Sequence, residues 1–128
     1  MILFVDINDV CRAVMAAACY EKRLGRPAEH AGVYVEEGTP PADFAVQAAE
    51  SAGLSLDRSG SRLVCAEQLE QAECVYAMTA AIAGHLKQDF GQFARKIYAL
   101  DSDDPFGQGL ACYQECLDDI MAQVEALE

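Results

Sequence analysis

Residues 1–25, MILFVDINDVCRAVMAAACYEKRLG, decide the fold of this chain. Residues 1–5 are continuously apolar, which is typical of a strand buried on both faces of a parallel sheet, and Asp6 ends the run. Residues 12–24 are rich in alanine, which favours a helix, and Gly25 is typical of the residue that follows one. The stretch therefore predicts a strand, a tight loop and a helix.

The same alternation continues to the end of the chain. Short apolar runs predict three further buried strands, at residues 31–35, 74–78 and 96–100. Composition and apolar spacing predict three further helices, at residues 43–52, 79–90 and 109–127. Four short strands that alternate with helices indicate a doubly wound α/β domain with a four-stranded parallel sheet flanked by helices. We expect this single domain to take up residues 1–128.

Composition limits the partners of the protein. The 21 acidic residues outnumber the nine basic ones and give a formal net charge of -12, so the chain repels nucleic acid and anionic lipid at long range. No apolar stretch reaches the roughly 20 residues that span a bilayer. We therefore expect neither nucleic-acid nor membrane binding. Acidic residues follow the first apolar run at once, which does not suit a secretory leader, so we expect mostly reduced cysteines in the cytoplasm.

Two loops are candidates for a functional site. In a doubly wound sheet, ligands bind beyond the carboxyl ends of the strands, near a helix N-terminus. In this chain the predicted elements place residues 6–13 and 101–109 at that edge. Arg12 begins the first helix, where the helix dipole disfavours a cation unless the side chain faces an anion. The first loop is therefore predicted to bind an anion.

The two loops resemble the two signatures of one family. Residues 4–16, FVDINDVCRAVMA, are similar to the phosphate loop of the low-molecular-weight protein-tyrosine phosphatases, FVC-x-GN-x-CRSPMA. Residues 104–107, DPFG, are similar to the Asp-Pro-aromatic loop of the same family, and the resemblance extends over nearly the whole chain. It includes the bacterial members, among them the protein arginine phosphatases.

The resemblance implies a role for each loop residue. In the family a cysteine attacks phosphorus, loop N–H groups hold the phosphate oxygens, an arginine clamps them, and an aspartic acid protonates the leaving group. Arg12 then corresponds to the clamp and Asp104 to the general acid. The implied phosphate-binding residues are Ile7, Asn8, Asp9, Val10, Cys11, Arg12 and Ala13.

The chain departs from the family where the chemistry begins. Asp6 occupies the position of the nucleophilic cysteine. We expect its carboxylate to cap the N–H groups of the loop, to occupy the phosphate subsite and to pair with Arg12. Asp9 replaces the asparagine of the loop, and its charge is expected to repel phosphate by about 1 kcal/mol at 4 Å in water and by more where it is partly buried.

Two further departures lie in the same loop. Asn8 replaces a glycine, and we expect it to supply the left-handed conformation that asparagine tolerates. Ala13 replaces a serine that supports the thiolate in the family. Cys11 matches the second loop cysteine, which in the family can form a disulfide with the nucleophile, and Asp6 removes that partner.

Four remaining side chains are expected to be structural. His30 and His85 stand alone in the sequence, which favours surface or boundary positions over roles as a base or a ligand. Cys112 and Cys116 lie one helical turn apart without further metal-ligand spacing, which favours buried apolar packing.

Two functions of different classes remain open. One is a phosphatase-like protein that is inactive as written and acts by binding or regulating a phosphoprotein or another protein partner. The alternative is an active phosphotyrosine or phosphoarginine hydrolase, with Cys as the native residue at position 6 or with Asp6 itself forming an acyl-phosphate. Aspartyl-phosphate enzymes need Mg²⁺ ligands, and Asp6, Asp9 and Asp104 lack diagnostic spacing, so we expect no metal and no cofactor. Asp103 and Asp104 could also be turn residues before Pro105.

Overall fold

Four parallel strands form the centre of the protein. The computed structural model describes residues 1–127. Its strands are β1 Ile2–Asp6, β2 Ala28–Gly32, β3 Cys74–Ala77 and β4 Ile97–Ala99. They lie in the order β2-β1-β3-β4, and each neighbouring pair is parallel. The predicted α/β fold with a four-stranded parallel sheet is therefore confirmed.

Helices connect the strands. They are α1 Arg12–Leu24, α2 Asp43–Ser51, α3 Ala66–Gln71, α4 Ala80–Asp89 and α5 Leu110–Glu125, with a 3₁₀ helix at Gly91–Lys96. Helix α1 has the predicted bounds, and Gly25 ends it with a left-handed φ of 66°. Helix α3 and the 3₁₀ helix were not predicted, because such short polar segments carry no apolar period. Within residues 1–127, no helix is both long enough and apolar enough to cross a membrane.

The second strand lies three residues before its predicted position. The prediction took residues 31–35 because they are the more apolar run, but β2 is an edge strand and does not need two apolar faces. Instead, Val33 and Tyr34 follow the strand and support the first loop, because their N–H groups donate to the carbonyl oxygens of Asp6 (3.0 Å) and Ile7 (2.7 Å).

The core fixes both ends of the first loop. Every residue of β1 is buried, and Leu3, Phe4 and Val5 have no exposed surface. Helix α1 buries its first nine residues and packs against β2 and α5, while α5 also packs against α2. Each large apolar side chain buried in this way contributes about 1.5–3 kcal/mol. Residues 6–13 are therefore held between a buried strand and a buried helix.

Candidate functional site

The site is built around the loop of residues 6–13, between the end of β1 and the start of α1. The side chain of Asp6 is buried, and its carboxylate bridges the loop from inside. Oδ1 accepts a hydrogen bond from the N–H of Asp9 at 2.6 Å, and Oδ2 accepts one from the N–H of Ala13 at 2.9 Å. The carboxylate thus takes two of the N–H groups that the loop turns inward.

Burial changes the acidity of Asp6. Removal from water raises its pKa, the nearby charge of Asp9 adds to the rise, and the two backbone hydrogen bonds and Arg12 oppose it. The net result is a pKa of about 6 instead of 3.8. Asp6 is therefore mostly ionised at neutral pH and becomes half protonated in mild acid.

The side chain of Arg12 joins the two predicted loops. It is buried, its Nη1 donates to the carbonyl oxygen of Ser102 at 3.3 Å, and its Nη2 lies 3.8 Å from Oδ2 of Asp104. The expected pairing of Arg12 with Asp6 is therefore wrong. Backbone N–H groups satisfy the Asp6 carboxylate, and Arg12 turns to the 101–109 loop.

Ser102 anchors that second loop to the sheet. Its N–H and its Oγ both donate to the carbonyl oxygen of Met78, at 3.1 and 2.8 Å. Two residues later, Oδ1 of Asp104 accepts the N–H of Phe106 at 3.1 Å, while the side chain of Asp104 is 44% exposed. Asp104 is therefore both close to Arg12 and open to solvent, as a group that exchanges protons with a ligand must be.

Asp9 supplies the left-handed residue of the loop, with a φ of 57°. The expectation that Asn8 takes this conformation is wrong, because the chain reverses one residue later. The Asp9 carboxylate is buried, and its Oδ1 lies 2.7 Å from Nδ1 of His30 while its Oδ2 accepts the N–H of Arg62 at 2.9 Å. Both oxygens of Asp9 are therefore partnered inside the protein.

His30 is buried on β2, where the register places it opposite Phe4. The expected surface or boundary position is therefore wrong. Its second ring nitrogen, Nε2, lies 2.7 Å from Oδ2 of Asp57. Burial lowers the pKa of His30, but the hydrogen bonds and charges of Asp9 and Asp57 outweigh it and raise the pKa above 6.5. His85, by contrast, is exposed beside Asp89 at 3.2 Å.

No direct signal in the sequence pointed to this histidine. The misplaced second strand left His30 outside any element, and Asp57 lies in a loop without secondary structure. A correct register for β2 would have put His30 two residues before Gly32, which pairs with Asp6. That register was the one available signal.

Some N–H groups of the 6–13 loop remain available. Within residues 1–127, those of Asn8, Val10 and Cys11 have no protein acceptor. With Arg12 they provide hydrogen-bond donors at the start of a helix, where the helix dipole favours an anion. Of the implied phosphate-binding residues, the structure buries Asp9, Cys11, Arg12 and Ala13, half buries Val10 and exposes Ile7 and Asn8.

Two buried cysteines, Cys11 and Cys116 of α5, lie near the loop. The interaction between the two thiols and burial raise the pKa of Cys11, and the same interaction lowers the pKa of Cys116 against its burial. Cys116 is buried, as expected, and lies 3.5 Å from the carbonyl oxygen of Asp103. Cys112 is only half buried, which corrects the expectation for it, because it faces a surface pocket.

That pocket lies beside Asp104 and has a volume of about 230 Å³. Its lining includes four carboxylic acids, Asp103, Asp104, Glu115 and Asp119. Such a lining repels phosphate, so an anion would bind at the 6–13 loop and not here. Within residues 1–127, no group of three or more His, Cys, Asp or Glu side chains is arranged to hold a metal.

Three exposed apolar side chains belong to the segments that form the site. Ile7 is 42% exposed, Tyr34 82% and Phe106 72%. The backbone N–H of Tyr34 donates to the carbonyl oxygen of Ile7, and Phe106 lies two residues after Asp104 in the second loop. These residues were not predicted as part of the site, although exposed aromatic side chains are typical of binding surfaces.

Comparisons with known proteins agree with the geometry. The family model described as low molecular weight phosphotyrosine protein phosphatase matches residues 1–128. A protein-arginine-phosphatase of Geobacillus stearothermophilus is 28% identical over 137 residues, covering 98% of this chain and 92% of the relative. One of Bacillus subtilis (strain 168) is 27% identical over 133 residues, covering 93% and 88%. A solved structure of a YwlE arginine phosphatase mutant with a phosphorylated active-site serine superposes with a TM-score of 0.92 at 26% identity, covering 98% of this chain and 91% of that one.

Proposed function

The chain belongs to the low molecular weight phosphotyrosine protein phosphatase family, and from this premise we propose that it is a phosphatase-like binding protein without phosphomonoesterase activity. The observation that carries the proposal is the Asp6 carboxylate, which stands at the nucleophile position and accepts the N–H groups of Asp9 and Ala13. Those N–H groups are two of the donors that a phosphate would need.

The chemistry of Asp6 supports this proposal. A carboxylate is a weaker nucleophile than a thiolate, and both oxygens of Asp6 are engaged by the backbone. An incoming phosphate would also meet a negative charge with little water around it, where charges repel most strongly. The family's first step, attack on phosphorus, therefore lacks its thiolate nucleophile.

The partner class that we propose is a phosphoprotein or another protein, bound in the cytoplasm. Arg12 and the remaining N–H groups of the loop offer local attraction for an anionic group, while Ile7, Tyr34 and Phe106 offer apolar contact area. All six cysteines are free, which suits a reducing compartment. No cofactor enters this proposal.

One observation favours a second candidate, an active hydrolase that uses an oxygen nucleophile. The relative with a phosphorylated active-site serine carries the phosphoryl group on an oxygen of the side chain. Asp6 would form an acyl-phosphate in the same way, and Asp104 would protonate the leaving group. The substrate of this alternative is phosphotyrosine or phosphoarginine.

Turnover of p-nitrophenyl phosphate and of a phosphoarginine peptide tests the proposal. We expect background rates for the unaltered protein, because no thiolate is present. Turnover that is lost in Asp6→Ala and resists chelation, with an 80 Da mass increase on the Asp6 peptide that hydroxylamine removes, would establish the hydrolase instead.

A second experiment examines the rest of the loop. We expect Asp6→Cys alone to recover little activity, and Asp6→Cys with Asp9→Asn and Ala13→Ser to recover more, because the two added changes restore the family pattern. Full activity in Asp6→Cys alone would show that the loop is competent and that Cys is the residue it was built for.

A further inference from the structure

A chain of charged groups runs from the buried Asp9 of the 6–13 loop through the buried His30 to the partly exposed Asp57 in the loop after α2. Nδ1 of His30 lies 2.7 Å from Oδ1 of Asp9, and Nε2 lies 2.7 Å from Oδ2 of Asp57. Both neighbours of the ring are carboxylates, which accept hydrogen bonds when ionised. A neutral imidazole has one N–H, so it can donate to only one of them. Two donated bonds require the imidazolium.

The groups around this chain favour ionised carboxylates. The second oxygen of Asp9 accepts the N–H of Arg62 at 2.9 Å. Asp57 also accepts the N–H and the hydroxyl of Ser59, at 3.0 and 2.9 Å, and its Oδ2 lies 3.4 Å from the guanidinium of Arg62. The negative charge of Asp6 also interacts with that of Asp9. One imidazolium therefore sits between two well-supported carboxylates.

Asp9 needs such support because of its backbone. The left-handed region is disfavoured for a residue with a side chain, although Asp tolerates it better than most, and such a conformation persists when the surroundings hold it. This conformation turns the Asp9 N–H toward Asp6 and sets the path of the next residues into α1. The shape of the anion-binding loop thus depends on what holds the Asp9 carboxylate.

We propose that His30 is a positioning residue whose imidazolium, held between Asp9 and Asp57, fixes the left-handed turn of the 6–13 loop and so its capacity to bind an anion. Loss of the proton leaves one carboxylate without its donor and loosens the loop. The anion-binding part of this inference rests on the proposed function, whereas the state of the ring does not.

The pH direction follows from the groups already described. The two carboxylates raise the pKa of His30 despite its burial. The stability that the imidazolium contributes is therefore fully present below pH 6.5, and it is lost as the pH rises through the higher pKa of the folded state. The stabilisation of the loop by the His30 imidazolium therefore decreases at alkaline pH.

Nuclear magnetic resonance of the histidine ring nitrogens tests the ionic state directly. At pH 6.5 we expect both nitrogens of His30 to be protonated, with a titration midpoint above 6.5. In Asp57→Asn, which changes a partly exposed group, the midpoint of His30 should fall. A neutral ring at pH 6.5 would overturn the inference whatever the protein binds.

Inorganic phosphate serves as the probe of the loop, in an Asp6→Ala background that removes the competing carboxylate. We expect His30→Gln to weaken phosphate binding at pH 6.5 at least tenfold and to flatten its decline between pH 6.5 and 9, while His85→Gln changes neither. If His30→Gln does not fold, Asp57→Asn is measured in its place, and it should shift the decline in binding to lower pH.

The outcomes separate this inference from the proposed function. Equal binding and an equal pH profile in the His30 or Asp57 variant and its parent would show that the ring does not position the loop. If His30 is protonated but the Asp6→Ala protein binds no phosphate, the anion-binding proposal is contradicted. If the ring signal of His30 is unchanged in Asp57→Asn, the proposed interaction of the imidazolium with Asp57 is contradicted.

Discussion

At the scale of single residues, Gly32 marks the closest approach between the sheet and the 6–13 loop. A methyl group there would lie 2.6 Å from the carbonyl oxygen of Ile7 and 3.0 Å from the nitrogen of Asp9. Both are backbone atoms, which cannot turn aside. We expect Gly32→Ala to displace the loop and to lower the free energy of unfolding by about 1–3 kcal/mol, as measured by urea denaturation.

Gly84 provides the matched control. It lies inside α4, and a methyl group there meets no atom within 4 Å. Gly84→Ala should therefore stabilise the protein by about 0.5–1 kcal/mol, because alanine is the better helix former. A Gly32→Ala variant with the same midpoint as the unaltered protein would show that the loop yields easily.

Asp9 and His30 show how one replacement depends on another. The family pattern has a neutral asparagine where this chain has Asp9, and a buried carboxylate at that position is costly without a partner. His30 supplies the balancing charge, and Asp57 balances His30 in turn. The charge of Asp9 is thereby accommodated inside the fold.

At the scale of elements, α5 covers α1 and α2 with one apolar face. Leu117, Ile120 and Val124 recur on that face and are buried. We expect Ile120→Ala to cost about 2–5 kcal/mol in the free energy of unfolding, measured by urea denaturation, because the cavity cannot close fully between packed helices. Asp118→Ala, on the exposed side of the same helix, should stay within about 0.5 kcal/mol, and similar losses for the two variants would contradict this packing.

The elements that sequence patterns predicted are those with strong local signals. Helices α1 and α5 have long alanine-rich or periodic stretches, and β1 and β3 are short apolar runs close to their predicted bounds. Strand β2 was placed wrongly because polar residues are tolerated at the edge of a sheet. Such a strand is specified by its neighbour β1 and not by its own composition.

The candidate site divides in the same way. The order of strands and loops was enough to bring Arg12 and Asp104 together, and the structure places them 3.8 Å apart. The capping of loop N–H groups by Asp6 was predicted and is present in the structure. The partners of Asp9 were not predictable, since they depend on backbone direction within a turn. His30 depends in addition on the register of β2.

At the scale of the whole molecule, the net charge of the protein repels anions, whereas the donors of the proposed site would attract them. A net charge of -12 repels anions over the range of the Debye length, about 8–10 Å in physiological salt. Arg12 and the N–H groups of the loop act only at contact. An anion at the proposed site would therefore be selected by close fit and not by long-range attraction, which suits a group presented on a docked protein.

The pH dependence of stability combines three groups. Asp6 has a raised pKa, so its contribution is present below pH 3.8 and is lost as the pH rises through about 6. His30 acts in the same direction above pH 6.5. Asp57 has a lowered pKa, because the Ser59 and His30 bonds outweigh its burial, so its contribution is lost as the pH falls below 3.8. Stability should therefore be greatest between about pH 4 and 6.

We expect the melting temperature to be about 5–10 °C lower at pH 8 than at pH 5, measured by calorimetry in buffers of equal ionic strength. The melting temperature of Asp6→Ala should decline less with rising pH, because the buried charge is gone. The difference in melting temperature between Asp6→Ala and the parent should therefore be more favourable to the variant at pH 8 than at pH 5. A stability maximum above pH 7 in the unaltered protein would mean that neither the buried Asp6 nor the His30 imidazolium governs the stability of the fold.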